Sequence, residues 1–173
     1  EVERLGGTIF MSKTGHSHVK NNLKKLNADL AGEMSGHIFY AKDYYGFDDA
    51  FFAAVKVLEI INNNDKKLSD LVDEIPRVFN TPEIRIDCDD NKKFDIIRKI
   101  TERQKRSKKK FTDIDGVRVS ERDGWWLLRA SNTQPALVLR CESLTKEGLD
   151  LQKRAVKDEL SKFNIDIAEK IFS

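Results

Sequence analysis

The chain has 173 residues, of which 39% are hydrophobic and 35% are charged, and its formal net charge is +2. This length suits one large or two small domains, and so small a net charge excludes nucleic-acid binding driven by the charge of the whole chain. No apolar run reaches the roughly 20 residues of a membrane span. Because two cysteines cannot build a disulfide framework, we expect Cys88 and Cys141 to be reduced thiols of a cytoplasmic protein.

The first part of the chain alternates short strands with helices, which predicts an α/β lobe. A helix end closed by a glycine cap is expected at Gly6 or Gly7. The spacing of the apolar residues then predicts a strand at 8–12, a helix at 17–30, a turn at 31–36, a strand at 38–40, a helix at 50–61 and a short helix at 68–75. The helix at 50–61 is apolar on most sides, so we expect it to be deeply buried, with Asp48 or Asp49 as its N-cap.

Pro76 and Pro82 bracket the predicted domain boundary, since the pattern of elements changes after them. The prediction is a first domain at 1–76, a linker at 77–82 and a second domain at 83–173. The second domain is expected to be α+β, with an antiparallel sheet and packing helices. Its predicted elements are a strand at 83–87, a helix at 91–106, a hairpin at 112–128, a strand at 137–141, a helix at 144–163 and a tail at 165–173. The apolar face of the first helix is predicted to consist of Phe94, Ile97 and Ile100, and that of the second of Leu149, Leu151, Val156, Leu160 and Phe163.

A polar loop between two apolar strands has the donors of a phosphate clamp. Arg129 offers a planar fork that matches two phosphate oxygens. Ser131, Asn132 and Thr133 add neutral donors, and the turn's amides can form an anion nest. The alternative is an ordinary polar turn in which these side chains bond to their own backbone.

Two further loops carry polar groups suited to a sugar phosphate. In the stretch from Gly32 to His37, Glu33 and Ser35 could hold sugar hydroxyls, and His37 could transfer a proton. Lys13 and His16 occupy a predicted strand–helix junction, where backbone amides favour an anion. The alternative for the stretch from Gly32 to His37 is a helix-to-strand turn with incidental polar side chains. The alternative for the other loop is a surface histidine at the start of a helix.

Taken together, these motifs resemble the α-D-phosphohexomutase family. The stretches K-T-G-H, G-E-M-S-G-H and an apolar helix occur in the order of that family's third domain, and R-A-S-N-T-x-P-x-L-x-L-R is similar to the loop of its fourth domain. The resemblance covers nearly the whole chain and favours the phosphomannomutase/phosphoglucomutase branch, since phosphoglucosamine mutases typically carry G-E-Q-S-G-H and P-S-G-T. The chain departs from the pattern at Gln134, where the family usually has glutamate.

The resemblance implies an isomerase that interconverts hexose 1-phosphates and hexose 6-phosphates of mannose or glucose through a bisphosphate. It implies phosphate binding by a group of four residues and substrate binding by a group of five. The first group is Arg129, Ser131, Asn132 and Thr133, and the second is Lys13, His16, Glu33, Ser35 and His37. His37 is the candidate acid/base.

The resemblance also implies that the catalytic parts lie outside this chain. Neither the serine nucleophile of a T-A-S-H-N-like stretch nor the Mg²⁺-holding D-G-D-G-D-R-like loop occurs here, and the first strand and helix of the third domain have no counterpart. We therefore expect Mg²⁺ and the phosphoserine in the missing N-terminal half, and no turnover by this fragment alone. The first domain, a sugar-binding domain, is expected to be N-terminally incomplete or to depend on a partner chain that covers an exposed edge. The acidic run from Asp87 to Asp90 is interpreted as a helix cap.

Two other functions fit parts of the sequence. The basic run from Arg103 to Lys110, with Trp125 and Trp126 as stacking surfaces, suits a nucleic-acid-binding domain. A cationic helix end and core tryptophans explain the same residues without a ligand. A non-catalytic sugar-phosphate-binding module on the same scaffold is the second alternative.

Overall fold

A computed structural model describes residues 1–107 and 109–172 of the chain. Lys108 of the predicted basic run and Ser173 of the predicted tail lie outside the described residues. The chain divides into two compact units, Glu1–Pro76 and Arg77–Ser173, called here the first and the second unit. Among the described residues, no helix is both long and apolar enough to cross a membrane.

The first unit carries a three-stranded antiparallel sheet beside its helices. Val19, Leu23 and Phe39 are buried and form its small core. The hairpin of β1 and β2 sets Ala31 opposite Phe39. The elements are α1 (His16–Lys25), β1 (Leu30–Gly32), β2 (Ile38–Tyr40), β3 (Phe47–Asp48), α2 (Ala50–Asn62) and α3 (Leu68–Asp73).

Helix α1 ends earlier than the sequence predicts. Its C-cap is Leu26, and the left-handed backbone of Asn27 (φ 47°) turns the chain away from the helix axis. Leu30 therefore belongs to strand β1, and its side chain is exposed. The apolar spacing that includes Leu26 and Leu30 continues past the true end of the helix, which is why the predicted helix at 17–30 is too long.

The predicted strand at 8–12 is absent, and no described strand pairs with this segment. Ile9, Phe10 and Met11 are instead exposed. The glycine cap before it is confirmed: the Gly7 amide donates to the Val2 carbonyl, and the Gly6 amide to the Glu3 carbonyl, as in a Schellman turn.

Helix α2 forms as predicted, but the expectation of deep burial is wrong. Asp49 is its N-cap and accepts a hydrogen bond from the Phe52 amide at 3.0 Å. Of its residues only Ala53 is buried, and Phe51 is 88% exposed. The described part of the first unit covers one narrow side of a helix whose apolar residues surround it, so most of them face outward.

The second unit is built on a six-stranded antiparallel sheet, as expected for an α+β domain. The strand order is β4-β9-β8-β7-β6, with β5 also paired to β9. Its strands are β4 (Phe79–Asn80), β5 (Ile84–Asp87), β6 (Lys110–Thr112), β7 (Val117–Glu121), β8 (Gly124–Ala130) and β9 (Ala136–Ser143). Its helices are α4 (Asp90–Ser107), α5 (Lys146–Ser161) and α6 (Ala168–Phe172).

The core of this unit lies between the sheet and helices α4 and α5. Strand β8 alternates buried and half-buried side chains, as a strand with one covered face does, and Trp126 and Leu128 point into the core. The helix faces differ in detail from the prediction, because Phe94 and Leu151 are exposed while Ile96 and Gln152 are buried. The predicted tail carries buried Ile167 and Ile171 and packs on this core.

The segment predicted as a linker, 77–82, contains part of the second unit's sheet. Strand β4 pairs with β9, setting Phe79 opposite Ser143. Thr81 is buried, and its hydroxyl accepts a hydrogen bond from the Cys141 amide at 3.0 Å. These bonds join the segment to the second unit.

Candidate functional site

The turn between β1 and β2 holds the first group of candidate residues. The Glu33 amide donates to the His37 carbonyl at 2.9 Å, and the Gly36 amide donates to the Glu33 carbonyl at 3.0 Å. These bonds close a short loop that leaves Ser35 exposed at its tip. The turn thus presents Glu33, Ser35 and His37 from one end of the hairpin.

The Glu33 carboxylate joins this turn to the loop before α1. Its Oε1 accepts a hydrogen bond from the Gly15 amide at 2.8 Å. Gly15 is the N-cap position of α1, so the carboxylate satisfies one of the amides that a helix start leaves without an intrahelical partner. The structure therefore brings two predicted loops together, and Glu33 Oε2 has acceptor capacity left for a hydroxyl.

Asp48 joins His16 and His37 through a single carboxylate. Its Oδ2 lies 2.6 Å from His37 Nδ1 and 3.1 Å from His16 Nε2. The Ile38 amide donates to the other oxygen, Oδ1, at 3.3 Å. The two imidazole rings meet edge to face with centroids 5.9 Å apart. Asp48 thereby fixes the orientation of both candidate histidines.

The environment of Asp48 favours its ionised form. Partial burial acts to raise the pKa of this carboxyl, but hydrogen bonds from His37 and His16 outweigh it and hold the pKa below its usual value. A carboxylate that accepts from both rings places the His37 proton on Nδ1.

Lys13 is exposed and, among the described residues, forms no side-chain hydrogen bond or ion pair. The sequence drew attention to the two histidines but not to Asp48, which was considered only as a helix cap. Two adjacent aspartates before a single helix were the available signal, since Asp49 alone serves as the cap.

A cleft of about 840 Å³ opens between α1 and the loop at 41–46. Its lining includes His16, Lys20, Lys24, Tyr44 and Tyr45. His16 therefore stands between this cleft and the turn that carries Glu33 and His37.

The second group of candidate residues lies where β8 returns to β9. The last paired residues are Ala130 and Leu137, and the Ser131 amide donates to the Ala136 carbonyl at 2.9 Å. Arg129 belongs to strand β8 and pairs with Val138, so the loop itself is shorter than predicted and spans 131–135.

Ser131 organises the backbone of this loop. The residue is only 5% exposed, and its Oγ accepts hydrogen bonds from the Thr133 amide at 3.4 Å and the Gln134 amide at 3.2 Å. This is the self-satisfied turn considered as the alternative to a clamp, and it occupies two amides expected for an anion nest. The hydroxyl proton of Ser131 remains available for donation.

The other three predicted phosphate ligands keep free donors. Arg129 is half-buried, and Asn132 and Thr133 are exposed at the tip of the loop. Among residues 1–107 and 109–172, none forms a hydrogen bond or ion pair with the Arg129 guanidinium. A half-buried cation beside two polar side chains at a hairpin end can bind an anion.

The far side of the loop is anchored to β5 and α4. The Gln134 carbonyl accepts from Lys93 Nζ at 2.8 Å, and the Pro135 carbonyl accepts from the Cys88 amide at 2.9 Å. Arg85 donates to Gln134 Oε1. Gln134, the departure from the family pattern, therefore faces these anchors, and an amide oxygen accepts from Arg85 as a carboxylate would. No local pattern pointed to Lys93, because it lies 41 residues from Gln134 along the chain.

The acidic run at 87–90 does not suit a metal ion. Asp89 Oδ1 accepts from the Asn91 amide at 2.8 Å, which confirms the interpretation as a helix cap, and Asp90 pairs with Lys93. Within the described ranges, no group of three or more His, Cys, Asp or Glu side chains is arranged to hold a metal.

The tryptophans and two residues of the basic run that suggested nucleic-acid binding are buried or paired within the second unit. Trp126 is 1% exposed, so it cannot stack on a base, and Trp125 is half-buried with the Arg118 guanidinium 4.4 Å from its ring. In the basic run, Arg103 pairs with Glu159 at 2.8 Å and Lys109 with Glu121 at 2.9 Å.

Comparison with known proteins assigns both units to one family. Residues 1–79 match the family described as "Phosphoglucomutase/phosphomannomutase, alpha/beta/alpha domain III", and residues 83–159 match "Phosphoglucomutase/phosphomannomutase, C-terminal domain". The chain belongs to the phosphoglucomutase/phosphomannomutase family. The resemblance read from the loop motifs is thereby confirmed.

Individual relatives agree with this assignment. A phosphomannomutase/phosphoglucomutase of Pseudomonas syringae is 44% identical over 166 residues, which is 96% of this chain and 36% of that protein. A phosphoglucomutase of Neisseria gonorrhoeae is 38% identical and is covered to 33%. A crystal structure of a family member from Burkholderia thailandensis superposes with a TM-score of 0.83 at 36% identity, covering 93% of this chain and 34% of that one. The chain thus spans about a third of the length of these relatives.

Proposed function

We propose that this chain supplies the sugar-binding and phosphate-binding parts of a phosphohexomutase. The full-length enzyme would interconvert the 1- and 6-phosphates of mannose, glucose or both through a bisphosphate. Family membership supports the enzyme class. The observation that carries the binding role is the half-buried Arg129 guanidinium, which has no acceptor among the described residues and belongs to the strand that leads into the polar loop, two residues before it.

In this proposal Arg129, Asn132, Thr133 and the Ser131 hydroxyl hold the phosphate that is not being transferred. An arginine fork can donate two parallel hydrogen bonds to a phosphate, and neutral donors complete the remaining oxygens. A clamp of this kind recognises the phosphate and ignores the sugar carbon that carries it. Either end of a bisphosphate would therefore be accepted.

Glu33 and Ser35 are proposed to hold sugar hydroxyls. Glu33 is fixed by the Gly15 amide, so one carboxylate oxygen is positioned in advance for adjacent hydroxyls. His16 and the exposed Lys13 would line the same substrate. If these residues grip hydroxyls common to the two sugars, mannose and glucose are both substrates.

His37 is proposed as the acid/base of the reaction. Its Nδ1 faces Asp48 at 2.6 Å, and a neighbouring carboxylate both orients an imidazole and stabilises its protonated form. Nε2 then exchanges the proton of a sugar hydroxyl as that oxygen gains or loses phosphate. Asp48 acts through His37 and is a positioning residue.

The phosphoserine nucleophile and Mg²⁺ are proposed to lie in the part of the enzyme outside this chain. The acidic residues at 87–90 do not fit a metal, because Asp89 caps α4 and Asp90 pairs with Lys93. This chain alone should therefore show no turnover. A cytoplasmic location is proposed on the same family grounds.

Other parts of the full-length protein are also proposed to cover the apolar surface of the first unit. Phe51 and Leu58 lie seven residues apart on one face of α2 and are 88% and 62% exposed, and exposed apolar side chains that share a face mark an interaction surface. The relatives are about three times as long and have further chain to place there. In the isolated chain this surface should bind a hydrophobic dye, and a longer protein that includes the missing domains should bind much less.

The phosphate role can be tested by titrating the ¹⁵N-labelled chain with inorganic phosphate, glucose 1-phosphate and mannose 6-phosphate. We expect amide shifts at 129–133 with all three ligands and additional shifts at 33–37 with the sugar phosphates only. Arg129→Ala should weaken phosphate binding roughly 10- to 100-fold, the loss of one or two hydrogen bonds to a charged group.

Arg154→Ala is the matched control, because it removes the same charge from an exposed position on α5. If both variants bind phosphate as the parent chain does, the clamp assignment is wrong. The alternative of a non-catalytic sugar-phosphate-binding module predicts the same shifts. The two functions can be distinguished in a longer protein that includes the upstream sequence, because only a mutase converts glucose 1-phosphate to glucose 6-phosphate.

A further inference from the structure

Lys93 is a buried lysine in an unfavourable place. Its side chain is only 5% exposed, although lysine is among the residues least often buried. It also lies in the first turn of α4, where the helix dipole disfavours a cation. Filling this position with an apolar side chain of similar length would avoid both costs, so the helix and the core do not by themselves explain the charge.

The ammonium of Lys93 is directed at the polar loop. Nζ donates to the Gln134 carbonyl at 2.8 Å and pairs with the Asp90 carboxylate at 2.5 Å. The Asp90 side chain is 65% exposed, so the carboxylate is partly solvated while the ammonium is enclosed. The bond to Gln134 is therefore the contact that places the charge inside the protein.

The backbone on this side of the loop has little freedom. The Gln134 carbonyl also accepts from the Ala136 amide at 2.8 Å, and the Pro135 carbonyl accepts from the Cys88 amide. The Gln134 amide in turn donates to Ser131 Oγ at 3.2 Å. A shift of the Gln134 peptide would therefore move Ser131 and the loop tip that follows it.

We propose that Lys93 is a positioning residue of the phosphate-binding loop: it holds the Gln134 carbonyl so that the Ser131 hydroxyl and the loop tip keep the geometry that receives the anion. This rests on the proposed phosphate role of residues 129–133. Lys93 touches the loop backbone and not the ligand. Its effect on binding is transmitted through one carbonyl and the Ser131 hydrogen bonds.

The test compares Lys93→Met with Lys92→Met in this chain. Methionine keeps the length of the side chain and removes its charge and donors, while Lys92 is the exposed neighbour on the same turn. Without ligand, Lys93→Met should shift the amides of Ser131, Thr133 and Gln134 and speed their hydrogen exchange. It should also weaken inorganic phosphate binding about tenfold. Lys92→Met should do neither, and Lys93→Arg should recover part of both effects.

The outcomes separate this inference from the phosphate role itself. Unchanged loop amides in Lys93→Met, or altered amides with unchanged phosphate affinity, would overturn it. If the parent chain binds no phosphate, the proposed function fails. The amide shifts and hydrogen exchange of the loop in Lys93→Met then still show whether Lys93 positions the loop.

A measurement on the unsubstituted chain covers the case in which Lys93→Met does not fold. The ¹⁵Nζ spectrum should contain one slowly exchanging lysine ammonium that moves when inorganic phosphate is added. Absence of such a signal in a folded chain would contradict an enclosed Lys93 ammonium bonded to the loop.

Discussion

Gly116 packs so closely against β8, the strand that carries Arg129, that there is no room for a side chain at this position. It has φ +79°, and a Cβ at this position would lie 2.4 Å from the Leu128 carbonyl oxygen and 2.5 Å from the Arg129 Cβ. Both contacts are far inside van der Waals distance, and the first is with backbone. Gly116→Ala must therefore strain its own backbone and also push β8 away at the base of the loop.

The two effects add to a large loss of stability. A left-handed backbone at a non-glycine residue costs roughly 1–2 kcal/mol. Inserting a methyl group where the surroundings must move costs roughly 1–3 kcal/mol more. We expect Gly116→Ala to lower the free energy of unfolding of the second unit by about 2–5 kcal/mol. For a unit of roughly a hundred residues, that lowers Tm by at least about 8 °C.

Tryptophan fluorescence measures this unit selectively, because both tryptophans of the sequence, Trp125 and Trp126, lie in β8. The control is Asn164→Ala, which places alanine at an exposed left-handed position (φ 58°) of the same unit. Asn164→Ala should cost about 1 kcal/mol or less, because asparagine already bears part of the left-handed strain and the substitution adds no collision. Equal losses for the two variants would refute the argument from close approach.

Three further predictions concern caps and titrating groups. Thr145→Ala should destabilise the second unit by about 1 kcal/mol in denaturant unfolding, because Thr145 Oγ1 caps α5 by accepting from the Gly148 amide at 3.0 Å; Thr145→Ser should be nearly neutral. Burial raises the pKa of Cys141 to about 12, so only about 0.1% of this thiol is ionised to thiolate at pH 9. Iodoacetamide should therefore label Cys141 at least about 100-fold more slowly in the folded chain than in the unfolded chain. Equal labelling rates would contradict the burial of Cys141. In a ¹³C NMR titration, the Asp48 carboxyl should have a pKa below the usual value of about 3.9, and His37→Ala should raise that pKa. Because the pKa is lowered in the folded state, the Asp48 carboxylate stabilises the fold at pH values above its unfolded-state pKa. This stabilisation is lost as the pH falls through the folded-state pKa.

The strands and helices of the second unit could be predicted because local pattern and tertiary burial agree there. The alternation at Ile84 and Ile86 identified β5, and both side chains are buried. The apolar pattern could not determine which residues of each helix face the sheet. Ile96 takes the buried position for which Phe94 was predicted, and which apolar residue faces the sheet depends on how the helix lies across it.

The first unit was less predictable because its apolar residues exceed what its described elements can bury. Helix α2 and the segment at 8–12 have the composition of core elements, which predicted burial and a strand. Burial, however, depends on neighbours as well as composition. Phe51 and Phe10 are exposed because no described element covers them, and this could not be read from the residues themselves.

The candidate ligands could be predicted from the sequence, whereas the residues that position them could not. Arg129 and Glu33 stand in short motifs, so local sequence is enough to find them. Asp48 lies 32 residues from His16, and Lys93 lies 41 residues from Gln134, so each contact exists only after the chain has folded. The second aspartate before α2 is a local hint that Asp48 is not the helix cap, but it does not indicate which residues the carboxylate contacts.

The two kinds of residue also differ in the energy they contribute. A positioning group such as Lys93 is bonded within the protein, so removing it deletes a hydrogen bond from a charged donor to the Gln134 carbonyl. This loss should cost about 1.5–3 kcal/mol of stability as well as order in the loop. The Arg129 guanidinium has no partner among the described residues, so removing it should leave stability nearly unchanged. Its hydrogen-bonding capacity is realised only when an anion is present. Stability and phosphate affinity, measured on the same two variants, therefore distinguish a group that holds the loop from a group that holds the ligand.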